Sequence, residues 1–373
     1  ITATFSGLKQ GARIAIPNVI GTSLRSFLFI ATAFMGWGVL WLARSYLIGV
    51  LVIILISIWY FRDYPISRPD KETFRSYKSY AFPVAAASIF VIFKQHFDKI
   101  FIGIFFSTYQ VGLYFAVQRI ALFIGTFALA IEEMLLPAVS KLHSIKKNKE
   151  VQSLVYDTEK YISMVCIPIV AMTVVWSSEI IEVFISREFL PASTILQLLA
   201  LAALIRVINR PWSIALRGSD RPDLASIANI LSASLSIILM LILVPREIPH
   251  IGLYDLPGLG GEGAAISVLA SEIFVGISLR IFCYIYLDMT PRFNFFLQFF
   301  VALLVGVLHW QIQANIIVDR WYELFLFSAL GGFLFLSVLA ALSGFTSKDF
   351  RFFWDAVNPR EMTNYLKGEL KRN

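Results

Sequence analysis

Charge is scarce in this chain. Asp, Glu, Lys and Arg make up 15% of its 373 residues, against roughly 25% in soluble domains, while 58% are hydrophobic. That balance excludes an ordinary water-soluble globule. Cysteine is nearly absent too. Cys166 and Cys283 both lie in apolar runs without a CxxC or Cys/His grouping, so neither a disulfide framework nor a metal site is suggested. The four histidines, His96, His143, His250 and His309, are too scattered for a metal site or a catalytic triad. No Walker loop, HExxH or nucleophile elbow occurs. GLGGEG (258–263) has the GxGxxG spacing, but it follows no strand and opens an apolar helix, so it reads as a flexible turn. No cofactor is expected.

What the chain has in plenty is long apolar stretches. A helix needs about 20 mostly apolar residues to cross a bilayer core. Ten stretches meet that length: 18–40, 44–62, 80–104, 109–136, 159–178, 190–215, 224–245, 263–287, 293–313 and 322–342. The expected fold class is therefore an all-α polytopic membrane protein. The longest connections, 63–79, 139–158 and 246–262, leave no room for a soluble domain between spans. The chain opens on Ile1 with no basic n-region or cleavage site, which predicts the C-terminal part of a longer protein.

Lys and Arg gather on one side of the spans. Lys9 and Arg13, the loop from Arg62 to Lys78, Lys141 to Lys149, Arg217 and Arg221, Arg292 and the tail from Lys348 to Arg372 all fall there. The other side has Arg44, Arg187, Arg246 and Arg320. By the positive-inside rule the basic side, with the C-terminus, is cytoplasmic. The net charge of +7 is then an orientation signal, and no nucleic acid is implied. From residue 343 the tail is amphipathic, with Phe350, Phe352, Phe353 and Trp354 among Lys348, Arg351 and Asp355. Asn358, Pro359 and Glu361 make a capped start for a last short helix.

Some charge lies where lipid should be. VIFKQHFDKIFIG (91–103) carries Lys94, Gln95, His96, Asp98 and Lys99. Lys94 and Asp98 share a helix face and can neutralise each other, and Lys99 can reach the outer interface. The next span supplies Gln118 and Arg119. At 1.5 Å per residue, Arg119 and Lys94 come to similar depths on antiparallel helices. Arg206 and Arg210 mark one face of the 190–215 span, with snorkelling as the rival explanation, and Arg25 lies a third of the way into the first span. Lys160 and Arg280 sit close enough to cytoplasmic ends to snorkel, and Glu132 and Glu133 are expected to face headgroup water. Buried cations in excess of their counter-charges require water or an anionic ligand. GWGVLWLARSYLIG (36–49) and GAAISVLASEIFVG (263–276) share Gly, Ala and Gly at equal offsets, a faint repeat that close helix packing alone would also produce.

Across FDKIFIGIFFSTYQVGLYFAVQRI, LLPAVSKL, IIEVFISREFLPASTILQLLAL, LRGSDRPDLASIANILSASLSIILMLILVP and GGEGAAISVLASE the chain resembles the polysaccharide-transport, Wzx-type flippases of the MATE/MurJ-like (MOP) superfamily. The resemblance covers most of 80–287. It implies a 14-helix, two-lobe MATE-like fold around a central cavity, of which about ten transmembrane helices are present. Residues 1–62 would be the C-terminal part of the first lobe, 63–79 the cytoplasmic linker, 80–287 the second six-helix lobe, 288–342 an extra helix pair and 343–373 the tail. It implies that a polyprenyl-diphosphate-linked oligosaccharide is carried across the cytoplasmic membrane by alternating access. Its partners would be that substrate, membrane lipid and polysaccharide-assembly proteins. Arg25, Lys94, His96, Arg119, Arg206 and Arg210 would form a cationic cavity, supported by Asp98 and Gln118. Two rivals stay open: a multidrug or cation antiporter, which needs acidic residues in the cavity, and a membrane glycosyltransferase or polymerase, which usually shows a large acidic outer loop.

Overall fold

A computed structural model describes residues 4–5, 11–62, 64, 70–72, 74–75, 96–248, 252–290, 295–316, 318, 320–342, 344–346 and 349. The chain divides into two units, Ile1–Ala87 and Ser88–Asn373.

The first unit is an antiparallel helix pair, α1 (Gly11–Met35) and α2 (Gly38–Phe61). The turn between them uses Gly36 and Gly38 at φ +67° and +72°, a region that favours residues without a Cβ. Lower down, the helices touch backbone to backbone. A Cβ on Gly49 would lie 3.0 Å from the Gly21 carbonyl oxygen and 2.7 Å from the Arg25 Cβ. Small residues give this approach, as they do in membrane helix pairs generally.

The second unit holds α3 (described over 96–105), α4 (Thr108–Ser144), α5 (Asn148–Val175), α6 (Ser177–Phe184), a 3₁₀ turn (Arg187–Ala192), α7 (Ser193–Gly218), α8 (Pro222–Leu243), α9 (Gly260–Leu287), α10 (Phe296–Gln313) and α11 (Trp321–Ala341). Eight helices among the described residues are long and apolar enough to cross a membrane, and the chain is a multi-pass membrane protein. Their apolar residues point outward as well as inward. Phe325 and Phe333 on α11 are 72% exposed, which suits a lipid boundary.

Each expected span overlaps a helix, except that 80–95 and the tail from 350 lie outside the described residues. The segment 139–158 is a correction. Expected as a basic loop, it is helix apart from residues 145–147, because α4 runs on to Ser144 and α5 starts at Asn148. A hydropathy window stops where lipid stops, whereas helical hydrogen bonds continue into the polar residues beyond.

Helix α7 is the hub. It packs on α4 to one side, α9 to the other and α5 behind, while α10 and α11 attach through α5. Its inward residues are mostly Ala, Leu and Ile, with Trp212 fully buried. One core cluster joins α5 and α7 to α10 and α11. A second gathers the basic ends of α4, α5, α7, α8 and α9, and a third joins the other ends of α3, α4, α7 and α9. Cys166 and Cys283 are buried in different clusters.

Candidate functional site

Two pairs of opposite charges cross the α7–α9 interface region, and they differ in how far they are sealed. On α9, Glu272, Gly276 and Arg280 follow at four-residue steps and so share one face. Facing them on α7 are Arg206 and Asn209.

The deeper pair is Arg280 with Glu159 of α5. Arg280 Nη2 donates to Glu159 Oε1 at 2.5 Å, and the Trp212 indole N–H donates to the same oxygen at 3.0 Å. The guanidinium also donates through Nη1 to Asn209 Oδ1 at 2.8 Å and to the Gly276 carbonyl at 3.1 Å. Its face lies 5.0 Å from the Trp212 ring. The pair is closed off, with side chains 7% and 0% exposed. Asn209 extends the chain of bonds by donating to the Glu272 carbonyl at 2.9 Å. Gly276 makes this possible, since a Cβ there would come within 2.6 Å of Asn209 Nδ2.

The second pair is open. Arg206 Nε and Nη2 both reach Glu272 Oε1, at 2.9 and 2.8 Å. Arg206 stays 41% exposed while Glu272 is 15% exposed. Beyond it, the buried Tyr114 of α4 lies within electrostatic reach of both Arg206 and Asp98. Asp98, 6% exposed on α3, accepts from Gln118 Nε2 at 2.8 Å and from the Lys99 amide at 2.9 Å, with Lys99 Nζ 3.7 Å away. Arg119 is exposed on α4, its guanidinium 4.6 Å from the Phe115 ring centre, and Lys99 Nζ is 5.6 Å from the same ring.

The structure thus joins Asp98 to Gln118 across α3 and α4, with Tyr114 between Asp98 and Arg206, while Arg119 lies exposed on α4 beside Phe115. Arg210 is half-buried one turn beyond Arg206, and His96 is exposed. Arg25 belongs to the first unit, where its guanidinium lies 5.2 Å from the Tyr46 ring centre. Lys94 lies outside the described residues. Three expectations are overturned. Arg280 does not snorkel, because a carboxylate and an indole hold it in the core. Lys160 does not snorkel either: its ammonium sits 2.8 Å from both oxygens of Asp349. Lys99 likewise turns toward Asp98 rather than outward.

A crevice of about 340 Å³ runs between α7 and α9, lined by Ile205, Ile208, Ile273, Ile277 and Ile281 with Arg280 and Asn209 at its base. A second cavity, about 490 Å³ between α5, α7 and α10, is apolar along most of its length and remote from these charges.

Residues 8–194, half of the chain, match the family model for polysaccharide biosynthesis proteins. The chain belongs to that family. Within it, the chain is 26% identical over 179 residues to the probable low-salt glycan biosynthesis flippase Agl15 of Haloferax volcanii. That alignment takes in 48% of this chain but only 38% of the relative's length. In backbone, this polysaccharide biosynthesis protein matches the lipid II flippase MurJ in its inward closed conformation. The TM-score is 0.72 over 91% of this chain and 70% of MurJ, at 18% identity, which shows a MurJ-like fold.

Glu159 and Glu272 are the residues that reasoning from the sequence passed over. A signal was present. Glu272 is an acid inside an apolar stretch and Glu159 stands at the edge of one, and an acid drawn into the membrane interior needs a cation nearby. Their partners lie 121 and 66 residues away in sequence, so no periodicity links them.

Proposed function

We propose that this protein carries a polyprenyl-diphosphate-linked oligosaccharide across the cytoplasmic membrane by alternating access, as a step in cell-surface polysaccharide biosynthesis. One observation supports this above the others. The Arg206–Glu272 pair presents its cation and withdraws its anion, with Arg206 41% exposed against 15% for Glu272, and Arg119 is a further exposed cation on α4. Such a surface attracts anions, and the planar fork of arginine suits phosphate. An antiporter for cationic drugs would need the opposite arrangement. The names of the glycan-biosynthesis and lipid II flippases that the chain matches agree with a lipid-linked substrate.

In this reading the protein is a carrier and not a catalyst. Its basic ends and tail face the cytoplasm, and its partners are the lipid-linked substrate, membrane lipid and the proteins that assemble the polysaccharide. Residues 80–287 form the second lobe, with 288–342 as an added helix pair. Arg119 and Arg206 are the first contacts for the diphosphate, with Arg210, Lys94, His96 and Arg25 as further candidates.

The test uses the full-length protein in proteoliposomes containing a labelled polyprenyl-diphosphate oligosaccharide. Exposure of the sugar to an impermeant reagent is followed for the wild type, Arg119→Ala and Arg206→Ala. Wild-type exposure that is lost in both folded variants is the expected result. Absence of exposure in the wild type overturns the substrate, and unchanged rates in both variants overturn the cationic face.

A further inference from the structure

The two ion pairs that α9 makes, Arg280–Glu159 and Arg206–Glu272, differ in exposure, and the difference singles out Glu272. The Arg280–Glu159 pair is buried, with side chains 7% and 0% exposed, and Trp212, Asn209 and the Gly276 carbonyl bond to it, although Glu159 Oε2 finds no hydrogen-bond partner among the described residues. The Arg206–Glu272 pair is more open, with Arg206 41% exposed. Two nitrogens of Arg206 converge on the single oxygen Oε1, where a matched fork would use two oxygens in parallel. A tetrahedral phosphate offers two oxygens at the spacing the guanidinium fits, so it binds the same cation better than Glu272 does in this arrangement. Asn209 holds the Glu272 backbone carbonyl, not its carboxylate, which leaves the side chain able to move away without breaking the α7–α9 contact.

We propose that Glu272 is an internal counter-ion of Arg206, displaced by the anionic group of the substrate. It neutralises Arg206 while the site is empty, when a lone guanidinium at membrane depth would be expensive. It also weakens binding by competing for the same cation, which keeps the anion releasable on the far side of the cycle. Glu272 thus sets affinity without being a primary contact. The inference rests on the anionic substrate argued above, and its test separates the two.

The measurement is equilibrium binding of geranylgeranyl diphosphate, a short polyprenyl diphosphate, to the full-length protein in phosphatidylcholine nanodiscs. Wild type, Glu272→Gln, Glu272→Ala, Arg206→Gln and the Arg206→Gln/Glu272→Gln double variant are compared. Melting temperature serves as the folding control. Partly exposed pairs are modest in strength, so either Glu272 variant is expected to bind about three- to tenfold more tightly. Arg206→Gln should bind more weakly, and the double variant should match it, because a counter-ion has no effect once its cation is gone. A merely structural Glu272 would instead lower the melting temperature and weaken binding.

Unchanged or weaker binding in the folded Glu272 variant, with the wild type binding well, overturns the counter-ion and leaves the substrate class standing. Wild-type binding no tighter than that of the uncharged alcohol, geranylgeraniol, overturns the substrate class itself. Loss of wild-type binding when phosphatidylglycerol replaces part of the phosphatidylcholine assigns Arg206 to bulk headgroups and overturns the role of Glu272 in substrate affinity.

Discussion

Replacing Glu159 with Gln removes a charge and leaves almost every atom in place. Among the described contacts that remain around Arg280 are the Asn209 amide oxygen, the Gly276 carbonyl and the faces of Trp212 and Phe295, which are neutral. Arg280 is only 6% exposed. Breaking a buried pair from one side typically costs about 3–5 kcal/mol, and the neutral acceptors that stay place this site toward the lower end, near ~3 kcal/mol. At about 2 °C per kcal/mol for a domain of this size, the melting temperature should fall by roughly 6 °C. Thermal unfolding in detergent, followed by tryptophan emission, reads this directly, and Trp212 is itself bonded to the carboxylate. The companion is Glu159→Met/Arg280→Met. Removing both charges leaves no uncompensated charge, so the double variant should recover much of the lost stability, short of the bonds that the Trp212 N–H and Asn209 Oδ1 lose. A fall of under about 2 °C in the single variant, or a double variant as unstable as the sum of its parts, would refute the claim that these groups depend on each other.

Gly276→Ala should disturb the same network from another direction: its new methyl meets the Asn209 amide at 2.6 Å, and the expected loss is about 1–3 kcal/mol in the same unfolding experiment. Gly49→Val should force α1 and α2 apart, seen as loss of disulfide cross-linking between cysteines placed on facing positions of the two helices. At Asp349, burial alone would raise the carboxyl pKa. Hydrogen bonds from Lys160 and from the Thr346 amide and hydroxyl outweigh it, and the group titrates below its usual 3.8. A depressed carboxyl contributes stability above its unfolded pKa and loses it as pH falls through the native one, so this contact should hold from neutrality down to about pH 4 and fail only below that. Asp349→Asn should lower the melting temperature across that whole plateau, and a wild-type profile that already declines on account of this residue between pH 7 and 5 would contradict the assignment.

The positions of the spans were legible from the sequence because length and hydropathy are properties of one helix at a time. The polar ends of α4 and α5 were not, since nothing in a transfer scale says where a helix ends once it leaves lipid. The glycine offsets carried real packing information at Gly49 and Gly276, although Gly36 turned out to serve a turn. Charge was harder. Periodicity tells which residues share a face, and it placed Arg206 with Arg210, but it cannot say which helix stands opposite. Arg280 was misjudged for that reason: depth alone suggested an escape to water, and the carboxylate that holds it is on another helix, across the unit. The surplus of buried cations expected from the sequence is smaller in the structure, because Glu159 and Glu272 supply the missing counter-charges.

The distance in sequence between Glu159 and Arg280 also sets a schedule for biogenesis. The two are 121 residues apart. At about 5–20 residues per second, α5 is made roughly 6–24 s before its cation exists. Through that interval a carboxylate destined for the protein interior has no Arg280 to pair with. The economical order is for α5 to wait beside the insertion machinery, its acid in a polar setting, until α7 brings Trp212 and α9 brings Arg280. The second unit is then released into the bilayer as a bundle and not helix by helix, and a ribosome stalled between residues 220 and 280 should leave α5 still within reach of a cross-linker on the translocon.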